Sequence, residues 1–134
     1  MKTTIFREFE AFASSIKDID SKMLLCNPEN PTWSVSLVQL GSIDLQQGLL
    51  GSGNLAQGTL RSDGFMIYFP LTKGVEYKAN GEVLVPNSFA VLEPGCEFCI
   101  STQQSHDWWA VFVPLDLIPD GADINAANRC FATP

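Results

Sequence analysis

The sequence predicts an all-β domain, a small barrel or sandwich of short strands, with one amphipathic helix at its N-terminus. Seven or eight short apolar segments follow one another at a spacing of roughly 8–12 residues, and glycine or proline clusters separate them. One segment near the start instead repeats its apolar residues with the period of a helix. A length of 134 residues, 46% of them hydrophobic and 17% charged, indicates one globular domain.

The helical segment extends from Thr4 to Asp20. Its apolar residues are spaced by 4, 3, 4 and 3 positions, which places them on one stripe of a helix: Ile5, Phe9, Phe12, Ile16 and Ile19. We expect this stripe to pack against an outer face of a sheet. The prolines within residues 27–31 then break the chain, because each disfavours helical backbone in the residue before it.

The first predicted strands begin where the apolar period changes to two. Trp33–Leu37 and Ile43–Gln46 alternate apolar and polar residues, and the turn between them falls at Gly41 and Ser42. The glycine-rich residues 48–58 are interpreted as a connection too long for a tight hairpin. Phe65–Phe69 is apolar at every position, which predicts a strand covered on both faces.

The second half of the chain repeats this pattern. Asn80 followed by Gly81 predicts a hairpin, because a type I′ turn needs two residues that tolerate positive φ. The strands predicted after this turn are Val83–Val85, Phe89–Glu93, Cys96–Ser101 and Trp108–Val113. We expect residues 1–114 to form the domain. Residues 115–134 lose the alternation and are interpreted as a loop or tail leading out of it.

The charge balance and the termini limit the possible partners. The net charge is −7, from 15 acidic and 8 basic residues, and the three arginines lie far apart in sequence, so we expect no direct binding of nucleic acid. The start of the chain lacks the apolar core of a secretory signal, and no segment has the ~20 apolar residues of a membrane helix. Together with four cysteines, this predicts a cytoplasmic protein with reduced thiols and no membrane contact.

A family resemblance lies in the segments ANGEVLVPNSFAVLEPGCEFCIST and SHDWWAVFVP, preceded by FREFEAFASSI and WSVSLVQLGSIDLQQGLLGSGNLAQG. These segments, over residues 4 to 114, resemble the N-terminal sensor domain of AraC-type transcriptional regulators. The resemblance implies a cupin-like barrel, that is, a double-stranded β-helix or jelly roll, which senses a small molecule or forms a homodimer. The helix-turn-helix part of that family is absent, since only about twenty residues follow the predicted barrel.

The residues argue against the metal chemistry of other cupins. Those barrels hold iron, manganese or zinc with several histidines and a glutamate, whereas this chain has only His106, in a predicted loop. Cys96 and Cys99 match C-x-x-C, but on a strand their side chains point to opposite faces, so we interpret them as small buried hydrophobes. A zinc site would also need Cys26 and Cys130 to converge there. His106 with Asp107 lacks a matching nucleophile. We therefore predict no metal, no cofactor and no catalytic residue.

Aromatic residues and one carboxylate are the candidate ligand-binding residues. They are Trp33, Tyr68, Glu93, Trp108 and Trp109. Because strand neighbours alternate, only one of the adjacent tryptophans points inward. Core packing is the alternative for each aromatic residue, and a position at the barrel rim is the alternative for Glu93. The resulting hypothesis is a non-catalytic, small-molecule-sensing and dimerising domain. A self-filled barrel acting as a protein–protein interaction module and a metal-free enzyme are the alternatives.

Overall fold

A computed structural model of the chain describes residues 1–118. This part of the chain contains eleven strands and one α-helix, and a 3-10 turn follows the last strand. The elements are β1 (Lys2–Phe6), α1 (Phe9–Ser15), β2 (Ile19–Cys26), β3 (Trp33–Leu40), β4 (Ile43–Leu50), β5 (Gly53–Leu60), β6 (Gly64–Pro70), β7 (Lys78–Ala79), β8 (Glu82–Val83), β9 (Ala90–Leu92), β10 (Glu97–Thr102), β11 (His106–Pro114) and the turn Leu115–Leu117. No helix in residues 1–118 is long and apolar enough to cross a membrane.

The strands form two antiparallel sheets, which confirms the predicted all-β class. The six-stranded sheet has the order β1-β3-β4-β11-β6-β9, and the five-stranded sheet has the order β2-β5-β10-β7-β8. Strands distant in sequence are neighbours in both sheets, as in the jelly rolls that cupins form. The hairpin predicted at Asn80 and Gly81 is confirmed, since both residues have positive φ and join β7 to β8.

The core lies between the two sheets. In β11 every second residue from His106 to Phe112 is buried, whereas the residues between them are only partly buried. The six-stranded sheet contributes Phe112 and Leu92 to the core, and the five-stranded sheet contributes Phe98 and Leu60. Helix α1 adds Phe12, which has no exposed surface. Because of this alternation, the position of a residue along its strand shows whether its side chain faces the core or the outer surface of the sheet.

The helix predicted over Thr4 to Asp20 is wrong at both ends. Helix α1 covers only Phe9–Ser15, while Thr4 and Ile5 belong to β1, which pairs with β3. β-Branched residues suit such an edge strand, and backbone pairing there outweighs the helical spacing of the apolar residues. Asp18 has positive φ, and β2, which the sequence did not predict, begins at Ile19.

The helix also packs elsewhere than predicted. Phe12 and Ile16 face the space between the sheets instead of an outer sheet face. At the end of α1, the Gln46 side chain accepts a hydrogen bond from the Lys17 amide and donates one to the Lys17 carbonyl, at 2.8 and 3.2 Å. These two bonds attach the segment after the helix to β4, so the helix covers one side of the barrel interior.

The interpretation of residues 48–58 as a connection is also wrong. Strand β4 continues to Leu50 and β5 starts at Gly53, so most of these residues lie in two strands of different sheets, which Gly51 and Ser52 connect. The glycines are required by close neighbours. A Cβ on Gly58 would lie 2.2 Å from the Asp20 carbonyl oxygen, and one on Gly48 would lie 2.4 Å from the Trp108 ring. Of the predicted tail, residues 119–134 lie outside the described residues.

Candidate functional site: the cavity between the sheets

A cavity of about 50 Å³ lies between the two sheets beside helix α1. Its wall includes Phe12 from the helix, Met23 from β2 and Phe98 from β10. No lining residue carries a formal charge when His106 is neutral. The volume accommodates one or a few water molecules, whereas pockets for drug-sized ligands measure ~300–1,000 Å³. The barrel interior is therefore largely filled by its own side chains.

His106 forms part of the cavity wall, which corrects its predicted place in a loop. It is the first residue of β11, is 6% exposed and pairs with Leu50 of β4. Its Nδ1 lies 2.8 Å from the Gln104 carbonyl oxygen and 3.1 Å from that of Ser52. Two carbonyl acceptors at Nδ1 assign the proton to that nitrogen. Burial lowers the pKa of His106, so the imidazole is neutral at pH 7.

Thr102 and Asn54 continue the polar part of the wall. The Thr102 Oγ1 lies 3.2 Å from both imidazole nitrogens of His106. It accepts a hydrogen bond from the backbone N–H of Asn54. The hydroxyl proton of Thr102 is thus available to the unprotonated Nε2 of the imidazole. The side chain of Asn54 donates to the Met23 sulfur at 3.6 Å. Its Oδ1 is buried and has no hydrogen-bond partner among the described residues.

An aromatic group lies beside the polar residues. The rings of Tyr68 and Trp108 are 6.0 Å apart, and both residues line the cavity. Tyr77 lies behind them, 6.4 Å from the Tyr68 ring and 5.5 Å from the imidazole of His106. Burial raises the pKa of Tyr68 well above 10, which keeps its hydroxyl protonated. The aromatic and polar parts of the wall are therefore both neutral at pH 7.

The five predicted ligand-binding residues do not converge on this cavity. Tyr68 and Trp108 line it, while the adjacent Trp109 points to the outer side of the sheet. Trp33 is buried apart from the cavity lining, where its Nε1 donates to the Ser52 hydroxyl at 3.0 Å. Glu93 does not face the interior, because in β9 the inward residues are Ala90 and Leu92, out of phase with it.

The sequence reasoning missed Asn54, Thr102 and the inward position of His106. Asn54 lay within the stretch interpreted as a connection, so its alternation with Ala56 and Gly58 was not used. Thr102 and His106 flank the turn between β10 and β11, and both strands extend one or two residues further than predicted. A polar residue in phase with buried apolar neighbours was the available signal in each case.

Cys26 and Cys99 lie apart, and Cys26, Cys96 and Cys99 are each only partly buried, which corrects their interpretation as buried hydrophobes. Cys26 pairs with Gly53 and Cys99 pairs with Gln57, four residues further along β5, which separates them by about 13 Å along the strands. Cys130, which the zinc alternative required, lies outside the described residues. Within those residues, no group of three His, Cys, Asp or Glu side chains could hold a metal ion.

Four charged residues, Lys17, Asp18, Asp44 and Arg61, form a cluster beside α1 where the two sheets meet, and the two carboxylates of this cluster are buried. We call this cluster the seam. Arg61 donates to the Asp18 carboxylate at 2.9 Å, and the Lys17 Nζ lies 3.5 Å from Asp44. Burial and the neighbouring carboxylate of Asp44 raise the pKa of Asp18 to about 6, although Arg61 acts in the opposite direction. Hydrogen bonds from neighbours such as Gln39 outweigh burial and hold the pKa of Asp44 below its usual value. The side chains of this seam do not line the cavity.

Fold and interior together define a cupin-like barrel with a small, uncharged cavity. In sequence, no protein-family model and no curated protein matches the chain. Among solved structures, the chain is similar to the AraC-like transcriptional activator CuxR, with a TM-score of 0.73 and 14% identity. That match covers 99% of this chain and 55% of the activator. A cupin-2 domain protein from Rhodospirillum rubrum matches at a TM-score of 0.45 and 11% identity, over 83% of this chain and 82% of that one.

The likeness to the activator bears on the fold. It extends over nearly the whole chain, so the cupin-like fold predicted from the resemblance to AraC-type sensor domains is confirmed. This chain spans about half the length of the activator that it matches. An identity of 14% carries no residue roles from one protein to the other.

Proposed function

We propose that this chain is the regulatory domain of an AraC-type transcriptional regulator, which binds a small effector, self-associates and catalyses no reaction. The observation that carries the proposal is the match of 99% of the chain to part of an AraC-like activator. DNA binding would then belong to a separate part of the regulator in the cytoplasm. The net charge of −7 agrees with this division, because affinity for DNA depends on basic side chains.

The cavity wall indicates the chemistry of the effector. The buried Oδ1 of Asn54 lacks a donor, so a ligand group that donates a hydrogen bond would satisfy it. The absence of charged lining residues favours a neutral molecule over an ion. A ligand larger than a few heavy atoms needs rearrangement of the wall, where the flexible Met23 and the helix residue Phe12 are the movable parts. Binding would thereby favour one of two arrangements of α1.

The surroundings of His106 support a non-catalytic role. Its Nδ1 donates to backbone carbonyls, and its Nε2 lies within reach of the Thr102 hydroxyl. A general base needs a nitrogen that reaches the substrate, and both nitrogens here have protein partners. This arrangement fits a residue that shapes and orders the cavity wall.

The effector site can be tested by thermal unfolding with a panel of neutral hydroxylated and amide-containing metabolites. We expect at least one compound to raise the Tm of the wild type and of Gln57→Leu, an outward change on the same strand. The same compound should not raise the Tm of Asn54→Leu, which removes the unpaired acceptor. An equal rise for Asn54→Leu would move the site elsewhere. No rise with any compound would contradict effector sensing.

A self-filled interaction module is the second candidate, and the cavity of about 50 Å³ favours it. In that case no small molecule is needed, and the barrel serves only to present its outer surfaces. The two candidates differ in the metabolite panel, because an interaction module predicts that no compound raises the Tm of the wild type. Asn54→Leu, which replaces the buried amide and its unpaired Oδ1 by an apolar side chain of similar shape, should leave self-association unchanged in either case.

A further inference from the structure

We propose that two copies of this chain associate through the outer face of the six-stranded sheet. This inference rests on the self-association in the proposed function and assigns it to a surface. The outer face is defined by the outward residues of all six strands, β1, β3, β4, β11, β6 and β9. It is the side opposite to the cavity, so effector binding and association would use different sides of the same sheet.

The middle of this face is a continuous aliphatic row across five strands. The register places Val38 beside Leu45, Leu45 beside Val111, Val111 beside Ile67 and Ile67 beside Val91. All five side chains are partly exposed, and all but Val38 lie between buried residues of their own strand. Five aliphatic side chains in one outward row are unusual for a sheet face that meets water, where polar residues normally alternate with apolar ones.

Aromatic residues extend the aliphatic row on one side. Trp109 lies opposite Phe69 in the neighbouring strand, and the Phe69 ring is 5.6 Å from that of Phe89. On β4 and at the end of β3, Leu49 and Leu40 are 44% and 60% exposed. Tryptophan near the centre of a surface, with aliphatic residues around it, is typical of the residues that dominate binding energy at interfaces.

The outer face of the five-stranded sheet provides an internal comparison. Its register places Lys22, Gln57 and Cys99 in one outward row. A second outward row consists of Asp20, Thr59 and Glu97, and a third consists of Leu24, Leu55 and Ser101, so apolar residues on this face form a pair of leucines among mostly polar neighbours. Both sheets bury their inner faces against each other, so the core does not require an apolar outer face. The apolar residues outside the six-stranded sheet therefore indicate contact with another surface.

Charge and area favour a second copy as the occupant. Each chain carries a net charge of −7, so two copies repel each other, and their contact is opposed least where a surface carries no charge. The aliphatic row is uncharged, and the outward carboxylates Asp107 and Glu93 lie towards opposite margins of the face. Six strands about 4.8 Å apart and about seven residues long span a plane of roughly 24 by 24 Å. With its pleats and side chains, such a face can supply the ~800 Å² per partner of a standard interface.

The geometry of this association follows from sheet packing. Two such faces would stack about 10 Å apart with their strands at about −30°, as in β-sandwiches. Strands β4 and β11 lie at the centre of the sheet order, so a two-fold axis near Val111 places the two Val111 side chains against each other and makes every other contact reciprocal. Trp109 of each copy would then pack against the aliphatic row of the other.

Sedimentation equilibrium of the full chain tests the assignment. The wild type and Thr59→Lys, a charge on the outer face of the five-stranded sheet, should sediment as dimers of twice 14.7 kDa. Val111→Lys places an unpaired charge at the centre of the proposed interface and should raise the dimer Kd by at least about 100-fold. Circular dichroism verifies that the variant is folded. Val38→Lys, nearer the end of β3, is the second variant if Val111→Lys does not fold.

The outcomes separate this inference from the proposed function. If folded Val111→Lys and Val38→Lys both remain dimers, the interface lies elsewhere and this assignment is wrong, while self-association stands. If the wild type is a monomer at millimolar concentration, self-association fails as well, and the face must be covered by another partner. Effector binding is measured independently by the Asn54 variants in either case.

Discussion

The inner faces of the two sheets are both apolar, whereas their outer faces differ in polarity. Inside, each contributes large apolar residues such as Phe112 and Phe98 to one core. Outside, the five-stranded sheet presents mostly polar and charged residues such as Lys22 and Glu97, with Leu24 beside Leu55, whereas the six-stranded sheet presents the aliphatic row and Trp109. Folding requires only the inner faces to be apolar. The difference between the outer faces therefore carries information about binding, which the core does not.

The largest effect on stability is expected from a test of whether both inner faces contribute equally to the core. Phe112→Ala and Phe98→Ala each remove a nearly fully buried ring from the same core, one from each sheet. We expect each change to lower the free energy of unfolding by about 3–5 kcal/mol, from lost apolar burial and the cavity left behind. Urea denaturation of the two variants measures this. A loss below about 1 kcal/mol for either one would mean that its sheet contributes little to the core.

A smaller effect on stability is expected at the seam, where charged side chains lie between the sheets. The pKa of Asp18 is about 6 in the folded chain against an ordinary 3.8, so folding binds an extra proton between these values. The stabilisation is fully present below pH about 3.8 and is lost as the pH rises through about 6. Asp44, whose pKa lies below its usual value, stays ionised over this interval.

Asp18→Asn should remove this dependence on pH. Between pH 4 and pH 7 the wild type should lose at most about 3 kcal/mol relative to the variant, and less where water around the half-exposed Arg61 screens the charges. Urea denaturation of both proteins at several pH values gives this difference, and His106 titrates equally in each. Parallel stability curves for the two proteins would show that Asp18 does not bind the proton.

Much of the fold could be predicted from the sequence, because alternation is a local property. Phe65–Phe69 is predicted to be covered on both faces, and Met66 and Tyr68 do lie in the core, whereas Ile67 and Phe69 on the outer face are only partly buried. The aliphatic row was not visible, because it joins residues from five strands whose order depends on long-range pairing. The predicted length of helix α1 is too great, because Ile5 fits the helical spacing of apolar residues and is equally suited to an edge strand.

The candidate site was less predictable than the fold for the same reason. Tyr68 and Trp108 could be found, because aromatic residues on predicted strands stand out in the sequence. Asn54, Thr102 and His106 meet only when β5 pairs with β10 and the opposite sheet brings β11 close to them. Their hydrogen bonds define the polar wall, and no short segment of the sequence contains all three.

The smallest expected effect distinguishes the two outer faces without altering the core. If two copies bind through the six-stranded sheet, mass action stabilises the folded dimer, and the Tm of the wild type rises with protein concentration. A tenfold increase adds about 1.4 kcal/mol per dimer, or about 0.7 kcal/mol per chain, and should raise the Tm by about 2–4 °C. Thr59→Lys should show the same slope, and Val111→Lys should show none. A concentration-independent Tm for the wild type would mean that its aliphatic row meets no second copy, since a dimer that dissociates on unfolding cannot escape mass action.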